Sequence, residues 1–261
     1  MYNINMSTCL IGYTGFVGTN LCKSTKFDVL INSKNFNSIK YQHFDTIICA
    51  GISAVKYLAN ANPEEDWNKI NELIEVLKTV TADKVIVIST VDIYDTPIEV
   101  TEYSDYSKCV STSAYGLNRY KFEQFCNEHF PTTYVIRLPG LFGEGLKKNV
   151  IFDLLNNNMI EAINPDASFQ YYSLTHLWND INIALKHNIK CLNISTEPIV
   201  TRDIANKFFP DCELTKKDGV APRYDMHSVY ANVWNKTGNY LYSKDDIMHD
   251  LEQFIKEYKH A

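Results

Sequence analysis

The sequence lacks the features that define several classes of protein. It has no basic excess, because 25 Lys and Arg stand against 31 Asp and Glu and give a net charge of −6. A nucleic-acid or anionic-membrane surface is therefore not predicted. No apolar run reaches membrane-spanning length, and the opening residues MYNINMSTC lack the basic and apolar segments of a secretion signal. We expect a cytoplasmic protein.

Frameworks built on metals or disulfides are also missing. The 7 cysteines are scattered without a C-x-x-C pair, and the 7 histidines fall at unrelated spacings. This pattern predicts reduced thiols and no metal site. The sequence contains no internal repeat, low-complexity tract or Gly/Ser linker. Its 261 residues, 45% of them hydrophobic, suit one large domain or a core domain with a smaller lobe.

The first half of the chain alternates short apolar runs with helical patterns, which is typical of a parallel α/β sheet. Strands are predicted at 8–12, 27–32, 45–51, 84–89 and 133–138, with helices at 63–81 and 113–130. After Gly140 the pattern becomes short and mixed, which indicates a small lobe partly interleaved with the sheet. The predicted cofactor domain is 1–140 with about 174–199, and the predicted substrate lobe is about 141–173 with 200–261.

A glycine-rich turn follows the first predicted strand. The segment CLIGYTGFVGTNL places Gly12, Gly15 and Gly18 between a strand and a helix. Glycines at this spacing let backbone N–H groups approach a pyrophosphate at the helix N-terminus. Dinucleotide binding is predicted for the turn, whose other residues are Tyr13, Thr14, Phe16 and Val17. The alternative is a turn that serves only strand–helix packing.

The end of the second strand bears on the choice of dinucleotide. An Asp or Glu there binds the ribose 2′-hydroxyl of NAD, whereas basic or hydroxyl side chains accept the 2′-phosphate of NADP. The segment INSKNF supplies Asn32, Ser33 and Lys34 and no carboxylate. The sequence therefore favours NADP over NAD, unless this polar strand end does not touch the cofactor.

Three segments together carry a family resemblance: the glycine turn, STVDIY at 89–94 and YGLNR at 115–119. They resemble the extended short-chain dehydrogenase/reductases, and within them the NAD(P)-dependent epimerase/dehydratases that act on nucleotide sugars. The resemblance implies a Rossmann-type, doubly wound parallel sheet in an enzyme of carbohydrate biosynthesis. It also implies a homodimer formed through the helices at 63–81 and 113–130.

The resemblance assigns roles to matching residues. Thr90 is the expected hydrogen-bonding partner of the substrate oxygen, Tyr115 the acid–base group, and Arg119 the basic partner four residues later. Ala50 and Gly51, at a strand end, and Pro139, in a loop near the nicotinamide, are expected to line the cofactor.

Arg119 departs from the family pattern, which has lysine at this position. A free phenol titrates near ~10, so an acid–base tyrosine needs stabilisation of its anion. Arg119 carries a permanent charge that can lower the pKa of Tyr115, and its donors can hold the nicotinamide ribose. The alternative is that Arg119 pairs with Glu123 on a solvated helix face and that Tyr115 is simply packed.

The reaction is left open between several types. Asp92 lies two residues beyond Thr90 and either acts as a base beside the sugar or caps the following loop. It stands alone where the dehydratases have an acidic pair or a hydroxyl followed by an acid, so a reductase or epimerase is favoured over a dehydratase. The turn GEGLKKN offers Lys147, Lys148 and Asn149 for a substrate phosphate, although such a turn can also be merely solvated. A protein that binds NAD(P) without turnover, in a structural or regulatory role, is the alternative from another class.

Overall fold

The computed structural model describes residues 7–260. Predictions that fall on residues 1–6, including the missing secretion signal and the start of the cofactor domain, lie outside the described residues. The strands in chain order are β1 Thr8–Ile11, β2 Val29–Ile31, β3 His43–Cys49, β4 Thr81–Thr90, β5 Thr133–Leu138, β6 Gly140–Phe142, β7 Ser168–Phe169, β8 Tyr171–Ser173, β9 Cys191–Asn193 and β10 Ile199–Val200.

Helices connect these strands. They are α1 Phe16–Ser24, α2 Lys56–Ala61, α3 Pro63–Leu77, α4 Tyr106–Cys109, α5 Ala114–His129, α6 Val150–Asn156, α7 Leu177–Lys186, α8 Thr201–Phe208 and α9 Lys244–His260. Short 3-10 helices lie at Phe36–Ile39, Val91–Ile93, Ile160–Ala162, Leu174–His176 and Ala231–Trp234.

Six strands form one parallel sheet in the order β2-β1-β3-β4-β5-β9. In register, Ile11 of β1 lies opposite Ile31 of β2 and Cys49 of β3, so the carboxyl ends of these strands form one edge. The chain leaves β1 toward β2 and then crosses back to β3. This reversal beside β1 is the place where open parallel sheets bind ligands.

Helices cover both faces of this sheet. Helices α3 and α5 pack against each other, and α1 packs against α7. Strand β2 lies on one side of β1, and β3 and β4 lie on the other. Right-handed crossovers therefore place α1 and α3 on opposite faces of the sheet. The core between the sheet and helices α3 and α5 is apolar and includes Ile11, Ile47 and Val85, each no more than 2% exposed. The predicted Rossmann-type α/β fold is confirmed.

The chain forms two compact units. Unit 1 comprises 7–95, 105–137 and 177–192, and unit 2 comprises 96–104, 138–176 and 193–260. Within unit 2, β6 pairs with β8 in parallel and β10 pairs with β7 in antiparallel. The predicted division into a cofactor domain and a substrate lobe stays a prediction.

The starts of α9 and α3 differ in how they are capped, and two short helices lie outside the predicted elements. Ser243 and Asp246 form a capping box at the start of α9, since each side chain accepts a hydrogen bond from the other residue's backbone N–H. Asn62 precedes α3 without a side-chain capping bond. Helices α2 and α4 were not predicted, because they are too short to show a helical period.

Three further findings on the described residues concern membrane-spanning helices, metal ligands and cysteines. Within 7–260, no helix is both long and apolar enough to cross a membrane. In the same range, His, Cys, Asp and Glu side chains form no group of three or more that could hold a metal ion. The 7 cysteines are free thiols, and burial raises the pKa of the Cys9 thiol to about 12.

Candidate active site

The glycine turn is shaped by close backbone contacts at the carboxyl end of β1. Gly12 adopts a φ of +92°, and a Cβ there would lie 2.4 Å from the carbonyl oxygen of Ala50. A Cβ on Gly18 would lie 2.1 Å from the carbonyl oxygen of Gly12. Both positions therefore require glycine, because β1, the turn and α1 pack too closely for a side chain.

The start of α1 presents a surface suited to an anion. Gly15 precedes the helix, and no side chain caps the first turn, which also holds no acidic residue. Gly15 is exposed, and a Cβ there would meet only the carbonyl oxygen of Gly12 within 4 Å. The first backbone N–H groups of a helix have no intrahelical acceptor and carry the positive end of its dipole. This cradle fits a dinucleotide pyrophosphate.

The polar residues after β2 lie beside the glycine turn. The side-chain amide of Asn32 donates to the hydroxyl of Tyr13 at 3.3 Å, which joins the two predicted segments. The side-chain carbonyl oxygen of Asn32 accepts the backbone N–H of Lys34 at 2.9 Å. This fixes a tight turn in which Ser33 and Lys34 are exposed.

The third strand ends against the same turn. Ala50 donates its backbone N–H to the carbonyl oxygen of Ile11 at 2.9 Å, which extends the ladder from β1 to β3. Gly51 follows and is exposed. The predicted cofactor residues of β1, β2 and β3 thus share one edge of the sheet.

Thr90 and Tyr115 meet at the end of β4. Their side chains form a hydrogen bond. Tyr115 lies in the first turn of α5, which Ser113 caps by accepting the N–H of Gly116 at 3.3 Å. The phenol is only 7% exposed. The structure therefore brings together the hydroxyl and the phenol that the sequence predicted as catalytic.

Arg119 lies over the Tyr115 ring, with its Cζ 4.1 Å from the ring centroid. Its guanidinium binds both carboxylate oxygens of Asp66 in α3, at 2.5 and 2.9 Å. It also donates to the backbone carbonyls of Tyr115 and Ser53. Only its buried Nε–H is left without a hydrogen-bond partner.

The expected alternative for Arg119, an exposed pair with Glu123, is wrong. Arg119 is 4% exposed, and its carboxylate partner is Asp66. Glu123 is fully buried and instead binds Arg137 of β5, with the closest nitrogen and oxygen 2.6 Å apart. Arg137 also donates to the hydroxyls of Tyr94 and Tyr106.

The protonation of Tyr115 is governed by its surroundings. Burial is the largest influence, and it raises the pKa of Tyr115 above its ordinary value. The charge of Arg119 works in the opposite direction, and the nearby carboxylate of Asp92 raises the pKa again. Arg119 thus acts in the direction expected of a cation, but burial outweighs it.

Two residues near Tyr115 were missed in the sequence. Lys56 donates to the Asp92 carboxylate at 2.7 Å, and Asn60 accepts the Tyr115 backbone N–H at 2.9 Å. Both come from α2, in the segment AGISAVKYLAN after β3. Their i, i+4 spacing, which puts two polar side chains on one helix face, is the only signal that could have indicated them.

The remaining predicted residues belong to unit 2. Pro139 lies between β5 and β6, and Lys147 and Lys148 are exposed before α6. Asn149 caps α6 by accepting the N–H of Phe152 at 3.1 Å, and its amide donates to the carbonyl of Leu141. Asn149 thus has a local structural role.

Comparisons with solved structures identify the fold. A UDP-glucose 4-epimerase from Thermotoga maritima, determined with UDP-glucose, is 14% identical with a TM-score of 0.71, covering 98% of this chain and 99% of that one. A dTDP-4-dehydrorhamnose reductase from Bacillus anthracis, in complex with NADP, is 15% identical with a TM-score of 0.73, covering 97% and 99%. An NAD-dependent NDP-hexosamine 5,6-dehydratase of tunicamycin biosynthesis is 13% identical with a TM-score of 0.71, covering 98% and 99%.

Sequence comparison identifies the family. No curated protein sequence matches the chain. The model of the NAD dependent epimerase/dehydratase family matches residues 24–165, more than half of the chain. The match begins after the glycine turn, so the interpretation of that turn rests on its geometry. The predicted membership of an NAD(P)-dependent enzyme family is confirmed. The chain belongs to the NAD dependent epimerase/dehydratase family.

Proposed function

We propose that this protein is an NAD(P)-dependent oxidoreductase, a reductase or an epimerase, acting on a nucleotide-sugar-like substrate. The observation that carries the proposal is the buried Tyr115 phenol, hydrogen-bonded to Thr90 at the carboxyl edge of the sheet and covered by Arg119. When bound, the nicotinamide supplies or accepts a hydride at its C4 atom. Tyr115 gives the proton to, or takes it from, the substrate oxygen.

The other residues hold the reactants in position. The uncapped start of α1 binds the pyrophosphate, and Ala50 and Gly51 line the cofactor beside it. Thr90 hydrogen-bonds the substrate oxygen. The buried Nε–H of Arg119 is the donor available to the nicotinamide ribose, because its other donors are already used.

The test combines binding with turnover. The purified protein is titrated with NADPH and NADH and then supplied with a panel of 4-keto and 4-hydroxy nucleotide sugars. We expect micromolar or tighter dinucleotide binding and conversion of at least one sugar. Failure to bind either dinucleotide would overturn the proposal.

A protein that binds NAD(P) without turnover is the second candidate. The engagement of Arg119 by Asp66 favours it, because a neutralised arginine offsets less of the burial that raises the pKa of Tyr115. This candidate predicts dinucleotide binding with no conversion anywhere in the panel.

Two finer assignments accompany the main proposal. A dehydratase reaction through Asp92 is disfavoured, because that carboxylate is paired with Lys56.

Lys147 and Lys148 are proposed to contact a substrate phosphate, with Asn149 holding the turn through its cap. Alanine substitution of the two lysines should raise KM for a nucleotide sugar and leave NADPH affinity unchanged.

We expect the protein to prefer NADP, and Lys34 to determine this preference. Lys34 is exposed in the tight turn after β2, where a 2′-phosphate is bound in related folds. Lys34→Glu should weaken NADPH binding about tenfold or more, because a hydrogen bond to a charged group contributes ~1.5–3 kcal/mol. Calorimetric titration with both dinucleotides measures this. Equal losses for NADPH and NADH would contradict the assignment, and Lys40→Glu, an exposed lysine in the same region, is the control.

A cytoplasmic homodimer is proposed for the protein as it acts. Trp67 of α3 and Leu117 and Lys121 of α5 line a surface groove on the helices that the resemblance implies for dimer formation. Sedimentation equilibrium should give twice the monomer mass. A monomer at micromolar concentration would exclude the dimer, and cell fractionation tests the location.

A further inference from the structure

Helix α2 contacts the surroundings of Tyr115 at two points. Asn60 binds the backbone N–H of Tyr115, and Lys56 binds the Asp92 carboxylate. Residues 56 and 60 are one helical turn apart and so lie on the same face of α2. This face of α2 therefore contacts both the start of α5 and Asp92, which lies just after β4.

Asp92 is fixed closely beside Tyr115. Its backbone N–H donates to the Thr90 hydroxyl at 3.2 Å. A Cβ on Gly116 would lie only 1.9 Å from the backbone carbonyl oxygen of Asp92. Asp92 therefore packs directly against Gly116, the residue after Tyr115. The side chain of Asp92 is only 19% exposed, and such a carboxylate is costly unless it is paired.

The charged groups that face Tyr115 come from three elements. Arg119 lies over the ring from α5, Asp92 follows β4, and Lys56 reaches from α2. Asp66 of α3 opposes Arg119 through a two-pronged contact in which both side chains are nearly buried. Lys56 pairs with Asp92, with its Nζ 2.7 Å from the carboxylate oxygen, and so offsets the charge of Asp92. The Lys56 side chain is 45% exposed, so the pair is partly accessible to solvent.

We propose that Lys56 is a positioning residue for Tyr115. Lys56 holds Asp92 in place and offsets the negative charge of the Asp92 carboxylate beside the phenol. The proposal rests on the proposed function, in which Tyr115 moves the proton. In this arrangement two residues share the role of the family's lysine. Arg119 covers the ring, joins α5 to α3 and lowers the pKa of Tyr115, while Lys56 offsets the charge of Asp92.

The test reads Tyr115 directly, without substrate. 3,5-Difluorotyrosine, whose phenol ionises at lower pH than tyrosine, is incorporated at position 115, and its ionisation is followed by 19F NMR. Lys56→Met should raise the ionisation midpoint by up to about one pH unit, because it removes a weak direct influence on the phenol and leaves the Asp92 carboxylate without its Lys56 pair. Lys56→Arg should restore the midpoint, and Asp92→Asn should lower it.

Matched controls separate this effect from general ones. Lys69→Met removes an equally charged side chain from an exposed pair with Glu65 on α3 and should leave the midpoint unchanged. Thermal melts establish that each variant is folded. An unchanged midpoint in a folded Lys56→Met protein, or an equal shift in Lys69→Met, would overturn the proposal. Because the NMR titration needs no turnover, failure of the proposed enzyme reaction would be seen separately in the sugar panel.

Discussion

Tyr115→Phe is expected to reduce turnover by about 10²–10⁴-fold, the usual contribution of a positioned acid–base group. The substitution removes only the hydroxyl. It keeps the ring that Arg119 covers at 4.1 Å, and it leaves the backbone bond to Asn60 intact. Cofactor affinity should therefore stay unchanged while kcat falls. Steady-state kinetics and a parallel NADPH titration measure the two quantities.

Tyr120 provides the matched control for this prediction. It lies on the same helix and is partly buried, and its ring packs on Tyr106 at 5.4 Å. Tyr120→Phe should retain most of the activity. If Tyr115→Phe kept more than a tenth of wild-type turnover, the proton would have to be handled by another group.

The pH profile follows from the raised pKa of Tyr115. Burial holds its pKa above its ordinary value, so the free protein carries a protonated phenol at neutral pH. Reduction of a carbonyl uses that proton, so kcat/KM in this direction should be flat through neutral pH and fall as pH rises through the raised pKa. Oxidation of a hydroxyl needs the phenolate, so kcat/KM should rise about tenfold per pH unit below that pKa. The raised pKa of Tyr115 also makes the stability of the fold depend on pH. Its contribution is fully present below the pKa that Tyr115 has in the unfolded chain, and it is lost as pH rises through the pKa in the folded protein.

The fold could be predicted from local patterns because those patterns report directly on local structure. The apolar run at 84–89 became the central part of β4, and the glycine spacing placed the turn between β1 and α1. Gly12 and Gly18 are required by contacts within a few residues of the turn and with the end of β3. Such constraints appear in the sequence as glycines, because a side chain at either position would clash with the backbone.

The partners of the charged residues could not be predicted in the same way. Arg119 has Glu123 at i+4, yet its carboxylate is Asp66, more than fifty positions earlier. The i, i+4 spacing describes only an isolated helix surface, whereas α5 is buried against both α3 and the sheet. Lys56 could not be identified for a related reason, since α2 is too short to show a helical period and the contact with Asp92 joins residues 36 positions apart.

The second large effect is expected from Glu123→Gln, which should lower the free energy of unfolding by about 3–5 kcal/mol. Glu123 is 0% exposed, and Arg137 is 3% exposed. Both carboxylate oxygens accept from Arg137, and Ser89 also donates to the carboxylate. The substitution keeps the shape but leaves a buried guanidinium without its counter-charge. Urea unfolding followed by circular dichroism measures the loss.

Glu65→Gln is the matched control, because Glu65 pairs with Lys69 at 2.5 Å on the exposed surface of α3. An exposed i, i+4 pair contributes only ~0.3–0.5 kcal/mol, so this variant should unfold almost as wild type does. A cost below about 1 kcal/mol for Glu123→Gln would contradict the prediction.

The buried pair also connects stability with the proposed chemistry. Ser89 immediately precedes Thr90, and Glu123 lies two helical turns after Tyr115, so their contact fixes α5 against the end of β4. Glu123→Gln should therefore also lower kcat at temperatures where the protein remains folded, because the phenol and the Thr90 hydroxyl lose their fixed separation. Activity measured well below the unfolding midpoint distinguishes this from simple loss of folded protein. Unchanged kcat in the folded variant would mean that the Gly116–Asp92 contact alone is enough to hold the two side chains together.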